Sequence, residues 1–305
     1  MTAVRGIDSD HRERRVVGGD GIELSVVERG DAARSTVVLV HGYPDQQHVW
    51  DPVAERLAAD HHVVTYDVRG AGRSGVPANV DGYRLDLLVA DFVAVVDAVA
   101  PGRQVHLVGH DWGSIQCWEI VCTPGVSERV GSFTSISGPS LDHVGQWIRR
   151  RTSFWPTVGQ LVGQAAKSWY VVALQSPVTP MLWRRVIWRR LPPVLVRTEG
   201  VEADDVWPGS TLAEDGANGT NLYRANIHER VRRPRSRRTS VPTQVIAPLE
   251  DRYVTPAMVR GLVDLGESVV VREVAGGHWI GRRRPERVAR WIEDHISANP
   301  TEPYQ

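Results

Sequence analysis

Short continuous apolar runs alternate along this chain with segments whose apolar residues recur every three or four positions. The continuous runs are Ser35–Val40, His62–Asp67, Gln104–Gly109, Val130–Ser137, Thr243–Ala247 and Ser268–Val274. They predict strands buried on both faces rather than half-exposed ones. Trp50–Ala59, Arg84–Val99, Trp112–Cys122, Pro256–Leu265 and Pro285–Ile296 predict helices. In Arg84–Val99 the helical period is carried by Leu87, Leu88, Val89, Phe92, Val95, Val96 and Val99. Near the start, Arg15–Val17 and Ile22–Glu28 flank Gly18-Gly19-Asp20-Gly21 and predict a hairpin.

Strand and helix in alternation imply an α/β fold, a mostly parallel sheet with helices on both faces. The alternation stops after Gly138 and resumes at Thr243. Residues 139–240 lack strand patterns and are rich in Trp, Arg and Pro, so a helical cap inserted before the last strands is expected. The expected organisation is a flexible tail over 1–14, a core of 15–138 and 241–298, the cap, and a second tail over 299–305.

The 305 residues suit one large domain, and 42% hydrophobic content supplies a packed core. Lys+Arg and Asp+Glu both count 36, and a net charge of zero argues against a nucleic-acid partner. The balance is local as well as global: residues 139–240 hold sixteen basic against eight acidic residues, and the remainder carries the opposite excess. Cys117 and Cys122 cannot make a disulfide framework, and with no apolar stretch at the N-terminus a reducing, cytoplasmic setting is expected. No run of about 18 apolar residues is present to span a membrane.

The predicted strand Gln104–Gly109 runs into Gly109-His110-Asp111-Trp112-Gly113, and a helix follows at once. That is the layout of a nucleophile elbow with Asp where Ser usually stands. Taken alone, the five residues would also suit an Asp capping the helix. Three further pieces join it at strand ends: His41-Gly42-Tyr43-Pro44, Asp251 and, in Gly276-Gly277-His278-Trp279, His278. The order nucleophile, acid, histidine is that of α/β-hydrolases, with the backbone N–H groups of Tyr43 and Trp112 as expected oxyanion donors. Glu250 is the alternative acid. A second glycine pattern, Gly70-Ala71-Gly72-Arg73-Ser74-Gly75, matches a dinucleotide fingerprint, but Pro77, Asn79 and Asp81-Gly82 follow it where a helix should open. It is expected to be a turn.

A carboxylate is ionised at neutral pH and can displace a leaving group from an sp³ carbon, forming an alkyl ester that an activated water then hydrolyses. With these residues, and with Tyr66-Asp67-Val68-Arg69-Gly70-Ala71-Gly72-Arg73-Ser74 and Ser132-Phe133-Thr134-Ser135-Ile136-Ser137-Gly138-Pro139-Ser140, the chain resembles the α/β-hydrolase-fold epoxide hydrolases from about residue 20 to 298. It is similar to mycobacterial members whose hydrolase domain continues into a short-chain dehydrogenase domain. This chain stops at Gln305, so no coupled redox activity is expected.

The resemblance implies Asp111 as nucleophile, His278 as base, Asp251 as its orienting acid, and Tyr170 and Tyr223 as donors to the opening ring. His41, Pro44, Trp112 and Trp279 are expected to contact substrate. No metal or cofactor is expected. Two alternatives stay open: a haloalkane dehalogenase, in which the Trp112 indole would hold a halide, and a hydrolase-fold binding protein without turnover. The arginine groups flanking Trp147–Trp188 and the run Arg232–Arg238 suggest a cap that admits a lipid epoxide at an anionic membrane surface. A homodimer is a further expectation.

Overall fold

The computed structural model describes residues 11–152, 158–204 and 207–301. Those residues form one sheet of β1 (His11–Val17), β2 (Glu23–Arg29), β3 (Thr36–Val40), β4 (His62–Tyr66), β5 (Val105–His110), β6 (Val130–Ile136), β7 (Thr243–Pro248) and β8 (Val269–Val274). Their spatial order is β1-β2-β4-β3-β5-β6-β7-β8. β2 pairs antiparallel with β1 and with β4, and every other pairing is parallel. Every residue of β3, β4, β5 and β7 is buried, as their continuous apolar patterns require.

Helices α1 (Asp51–Leu57), α2 (Leu85–Val99) and α3 (Trp112–Val121) follow β3, β4 and β5. The cap contributes α4 (Leu141–Thr152), α5 (Val158–Lys167), α6 (Trp169–Leu174), α7 (Thr179–Leu182), α8 (Trp188–Glu199) and α9 (Leu212–Arg232). After β7 come α10 (Pro256–Arg260), α11 (Ile280–Arg283) and α12 (Pro285–Ser297). Alternate residues of one strand feed two cores. Val37 and Leu39 pack with Val53, Leu57, Val288 and Ile292 on one face, and Val38 and Val40 pack with Leu88, Phe92 and Cys117 on the other.

Two expectations change. Residues His11–Arg14, assigned to the flexible tail, belong to β1 and pair with Val26–Arg29 of β2. Arg14 also donates to Glu28 Oε1 at 2.9 Å and to the Ala98 carbonyl at 2.5 Å. An edge strand keeps its charged side chains in water, so polarity hid it. Residues 1–10 and 302–305 of the expected tails, and 153–157 of the lid, lie outside the described residues. The helix expected over Pro256–Leu265 ends at Arg260 and continues as a 3₁₀ turn, Gly261–Leu265.

The chain reverses direction of winding at β3: β4 lies on one side of it and β5 on the other. Ligands of open α/β sheets bind at such a switch point, beyond the carboxyl ends of the strands. The Gly70–Gly75 loop lies nearby as a turn. Asp67 and Asp215 carboxylates accept the Arg73 and Gly72 N–H groups at 2.9 Å, leaving no room there for a phosphate.

Cap and core are joined by a buried cluster of charge. Arg230 of α9 donates to Glu119 Oε1 of α3 at 2.6 Å and to Asp142 Oδ2 of α4 at 3.2 Å. Arg237 donates to the same Glu119 oxygen at 2.7 Å, and the Arg235 N–H to Asp142 at 2.8 Å. Part of the basic run 232–238, expected to face a membrane, is therefore spent inside the protein. Removing one partner of such a buried group strands the other charge, at about 3–5 kcal/mol. Glu119→Ala is accordingly expected to lower the free energy of unfolding by about 3 kcal/mol, read from urea titration. A loss within about 0.5 kcal/mol, the range of ordinary surface changes, would show that the cluster carries no such constraint.

Candidate active site

β5 ends at His110 and α3 begins at Trp112, so Asp111 alone makes the turn, with φ 53° and ψ −122°. A side-chain-bearing residue is held in so strained a conformation only when its surroundings impose it. The neighbouring glycines explain how. A Cβ at Gly109 would lie 2.6 Å from the Gly113 carbonyl and the Ser114 Cα, and one at Gly113 would run into the Val40 backbone. Without those atoms α3 folds back against the ends of β3 and β5, and the Asp111 side chain stands clear.

Register brings the next piece. Val40 of β3 pairs with Gly109 of β5, so the loop after β3 passes directly over the elbow. There the Tyr43 N–H donates to Asp111 Oδ1 at 2.8 Å. Gly42 permits that approach, since a Cβ on it would lie 2.5 Å from the Asp111 Cβ. Trp112 heads α3, whose first amide groups favour an adjacent anion. Asp111 Oδ2 lies 3.5 Å from His278 Nε2, and His278 Nδ1 lies 3.1 Å from Asp251 Oδ2. Asp251 Oδ1 accepts the Tyr253 and Val254 N–H groups at 2.7 and 3.1 Å. The exposed Glu250 takes no part in this chain of contacts.

Burial by itself would depress the His278 imidazolium. The Asp251 and Asp111 carboxylates on its two nitrogens outweigh that and hold its pKa well above the ordinary imidazole value. Burial likewise disfavours the Asp251 carboxylate, but the charge of His278 and the two backbone donors keep it below the usual carboxylate value. Burial pushes the Tyr170 and Tyr223 phenols well up, so both remain protonated donors.

Asp111 opens into a cavity of about 420 Å³ between sheet and cap. Trp112, Tyr170, Tyr223 and Tyr253 line it near the carboxylate, and Leu141, Val144, Ile148, Ile227, Val231 and Met258 make an apolar wall. The Tyr223 ring packs 4.8 Å from Trp112, 5.3 Å from Tyr43 and 6.3 Å from Tyr170. α9 delivers Tyr223 because Gly219, one turn earlier, lets the helix rest on the Tyr43 ring, 2.5 Å from where a Cβ would sit.

Of the residues expected to contact substrate, only Trp112 lines this cavity. His41 is buried and works on the backbone, accepting the Val68 N–H at 2.8 Å. Pro44 lies with it around a small cleft behind Trp112. Trp279 packs against the His278 ring and donates its indole N–H to Asp45 Oδ2 at 2.9 Å. Loops at the ends of β3 and β8 bring backbone to the site and turn these side chains inward.

Several residues that serve the site escaped the sequence reading. Glu199, at the end of α8, accepts the His278 N–H at 2.8 Å, and a Cβ at Gly277 would strike it. Gln164 of α5 grips the acid loop through the Tyr253 carbonyl at 2.8 Å and the Thr255 N–H at 2.9 Å, and Lys167 donates to the Asp251 carbonyl. Buried Asp45 accepts two indole N–H groups, from Trp207 and Trp279, while burial raises its pKa to about 6. One signal was available: Glu199 is the first acidic residue after Asp142.

The elbow, the acid and the histidine at the ends of β5, β7 and β8 have the arrangement of the α/β-hydrolase fold, and residues 35–166 match the family described as alpha/beta hydrolase fold. Over 291 residues it is 34% identical to the Probable oxidoreductase EphD of Mycobacterium tuberculosis, a match covering 92% of this chain and 49% of that protein. The chain thus spans about half the length of that relative. Epoxide hydrolase A of the same organism is 36% identical over 128 residues, 42% of this chain and 39% of its own. A Bacillus megaterium epoxide hydrolase, solved with an inhibitor, shares the fold at a TM-score of 0.77 and 20% identity, over 94% of this chain and all of that one.

The charge arrangement has a titratable consequence. NMR titration is expected to find His278 still protonated well above neutral pH, and Asp251→Asn to bring its midpoint down by about 1–3 units, because an opposite charge is lost. An unchanged midpoint would mean that the Asp251 carboxylate does not control the imidazole.

Proposed function

We propose that the chain is an epoxide hydrolase, converting an apolar epoxide to a vicinal diol through an ester on Asp111. The observation that carries this reading is the pairing of a strained, ionisable Asp111 with two phenols, the half-buried Tyr170 and the buried Tyr223, in one apolar cavity. The names borne by Epoxide hydrolase A and by the Bacillus megaterium neighbour favour the same chemistry. A halide leaving group would need N–H donors rather than phenols. At Tyr43, where a second such donor would be sought, the hydroxyl is engaged with the Gly216 carbonyl at 2.9 Å.

Because Asp111 Oδ1 is held by the Tyr43 N–H, Oδ2 is the attacking atom. It forms a bond to an oxirane carbon, the ring C–O bond breaks, and the alkoxide takes a proton from Tyr223 or Tyr170. The carboxylate is now a neutral ester. One of the two anions that held His278 protonated has vanished, so after alkylation the imidazolium releases its proton to solvent, regaining it once the carboxylate reforms, and the base is free. His278 Nε2 then takes a proton from water, whose oxygen attacks the ester carbonyl. The charge that develops on Oδ1 is received by the N–H groups of Tyr43 and Trp112. Collapse expels the diol oxygen, protonated by His278, and the proton shed by the regenerated carboxylic acid restores the phenol. Asp251 holds the imidazole in the tautomer this needs.

The cavity volume of about 420 Å³ falls in the ordinary range of small-molecule sites, and its apolar wall suits a lipid or fatty-acid epoxide. With no base to hydrolyse it, the ester should accumulate. His278→Ala incubated with a terminal epoxide is expected to gain the whole mass of that epoxide on Asp111, located by peptide mass spectrometry. An adduct formed only from a bromoalkane, less bromide, would instead assign a dehalogenase. In ¹⁸O water, a single turnover should leave the diol unlabelled and put the label into Asp111; a labelled diol would mean direct hydration. Tyr223→Phe and Tyr170→Phe are each expected to slow alkylation roughly 100-fold, at the low end of general-acid contributions. Rapid-quench kinetics with unaltered rates would remove the phenols from the mechanism.

A further inference from the structure

The outward face of the cap is inverted relative to a helix packed on a core. α5 buries only Gln164, a polar residue, while Val162 is 61% exposed. Past Ser168 the pattern continues into α6, where Trp169 is 70% and Val172 74% exposed. With the exposed Ala165, Ala166 and Ala173, these positions recur every three or four residues and make one apolar stripe turned to solvent. Trp169 and Val172 also line the cavity, so the stripe runs without interruption from the surface to the mouth of the site.

Charge along this stretch of chain has a single sign. Residues 143–198 contain nine basic residues and no Asp or Glu. Arg185, Arg189, Arg190 and Arg197 are exposed, and no carboxylate among the described residues pairs with them. Exposed Val178, Met181, Leu182 and Val186 lie in the same stretch of chain. A second copy is a poor occupant, because a twofold contact would place these cations against themselves. Phosphate-bearing lipid supplies both what the arginines lack and what the apolar stripe lacks.

We propose that this face docks on an anionic lipid bilayer, with Trp169 and Val172 entering the headgroup–acyl boundary so that apolar molecules dissolved in the membrane reach the cavity directly. Docking does not depend on the reaction proposed above; only the delivery of an epoxide rests on it. Among the described residues no helix is long and apolar enough to cross a membrane, so the contact is peripheral.

Co-sedimentation with phosphatidylcholine vesicles, with and without phosphatidylglycerol, tests the surface without reference to turnover. The expected result is binding that requires phosphatidylglycerol and weakens about fivefold for each of Arg185→Gln and Arg190→Gln. Val162→Gln should weaken it further while leaving turnover of a water-soluble epoxide and the thermal melt unchanged. Indifference to phosphatidylglycerol, or wild-type binding by the triple variant, would overturn the proposal. So would a dimer in sedimentation velocity that Val162→Gln dissolves, which would give this face to a second copy.

Discussion

One unfavourable backbone conformation organises this molecule. Asp111 sits at positive φ, a state costing of order 1–3 kcal/mol for a residue with a side chain. It persists because α3 is pressed onto the ends of β3 and β5 through two glycines that leave no alternative path. The strain has a geometric return. It detaches one carboxylate from the backbone plane and presents it to the loop after β3, to the histidine after β8 and to the cavity. Every other part of the site is defined by its relation to that carboxylate. Together with Asp251 it raises the His278 pKa, the Tyr43 N–H is aimed at it, and the phenols face the space before it.

The cap does more than cover this arrangement. Its polar residues are directed at the loops that carry the acid and the base: Gln164 and Lys167 hold the Asp251 loop, and Glu199 holds the backbone of His278. Helices that spend their polar side chains inward have apolar ones left for the outside. The inverted face of α5 thus follows from its role as a brace for the acid loop.

Much of this was legible in the sequence, and for reasons that differ by element. The parallel strands could be read because burial on both faces removes polar residues from them altogether. The elbow and His278 could be read because glycines stand beside a reactive residue at a strand end, and Asp251 because it follows a strand in the order nucleophile, acid, histidine. β1 could not, since an edge strand keeps the composition of a loop. His41, Pro44 and Trp279 were adjacent in sequence to the site and turned away from it, because loop position fixes the backbone but not the direction of a side chain. Gln164 was invisible for the opposite reason, since it acts across a span of chain that no local pattern reports, and Glu199 was marked only by the acid-free stretch before it.

The cluster of Arg230, Arg237, Glu119 and Asp142 has a consequence for how such a fold can change. Glu119 lies on α3, the same helix that the elbow begins, while its partners Arg230 and Arg237 lie in the cap. A cap that lacked the matching cations would leave the Glu119 carboxylate buried alone. Lid and nucleophile helix therefore form one unit of inheritance, and lids are exchangeable between these hydrolases only where this ionic seam is exchanged with them.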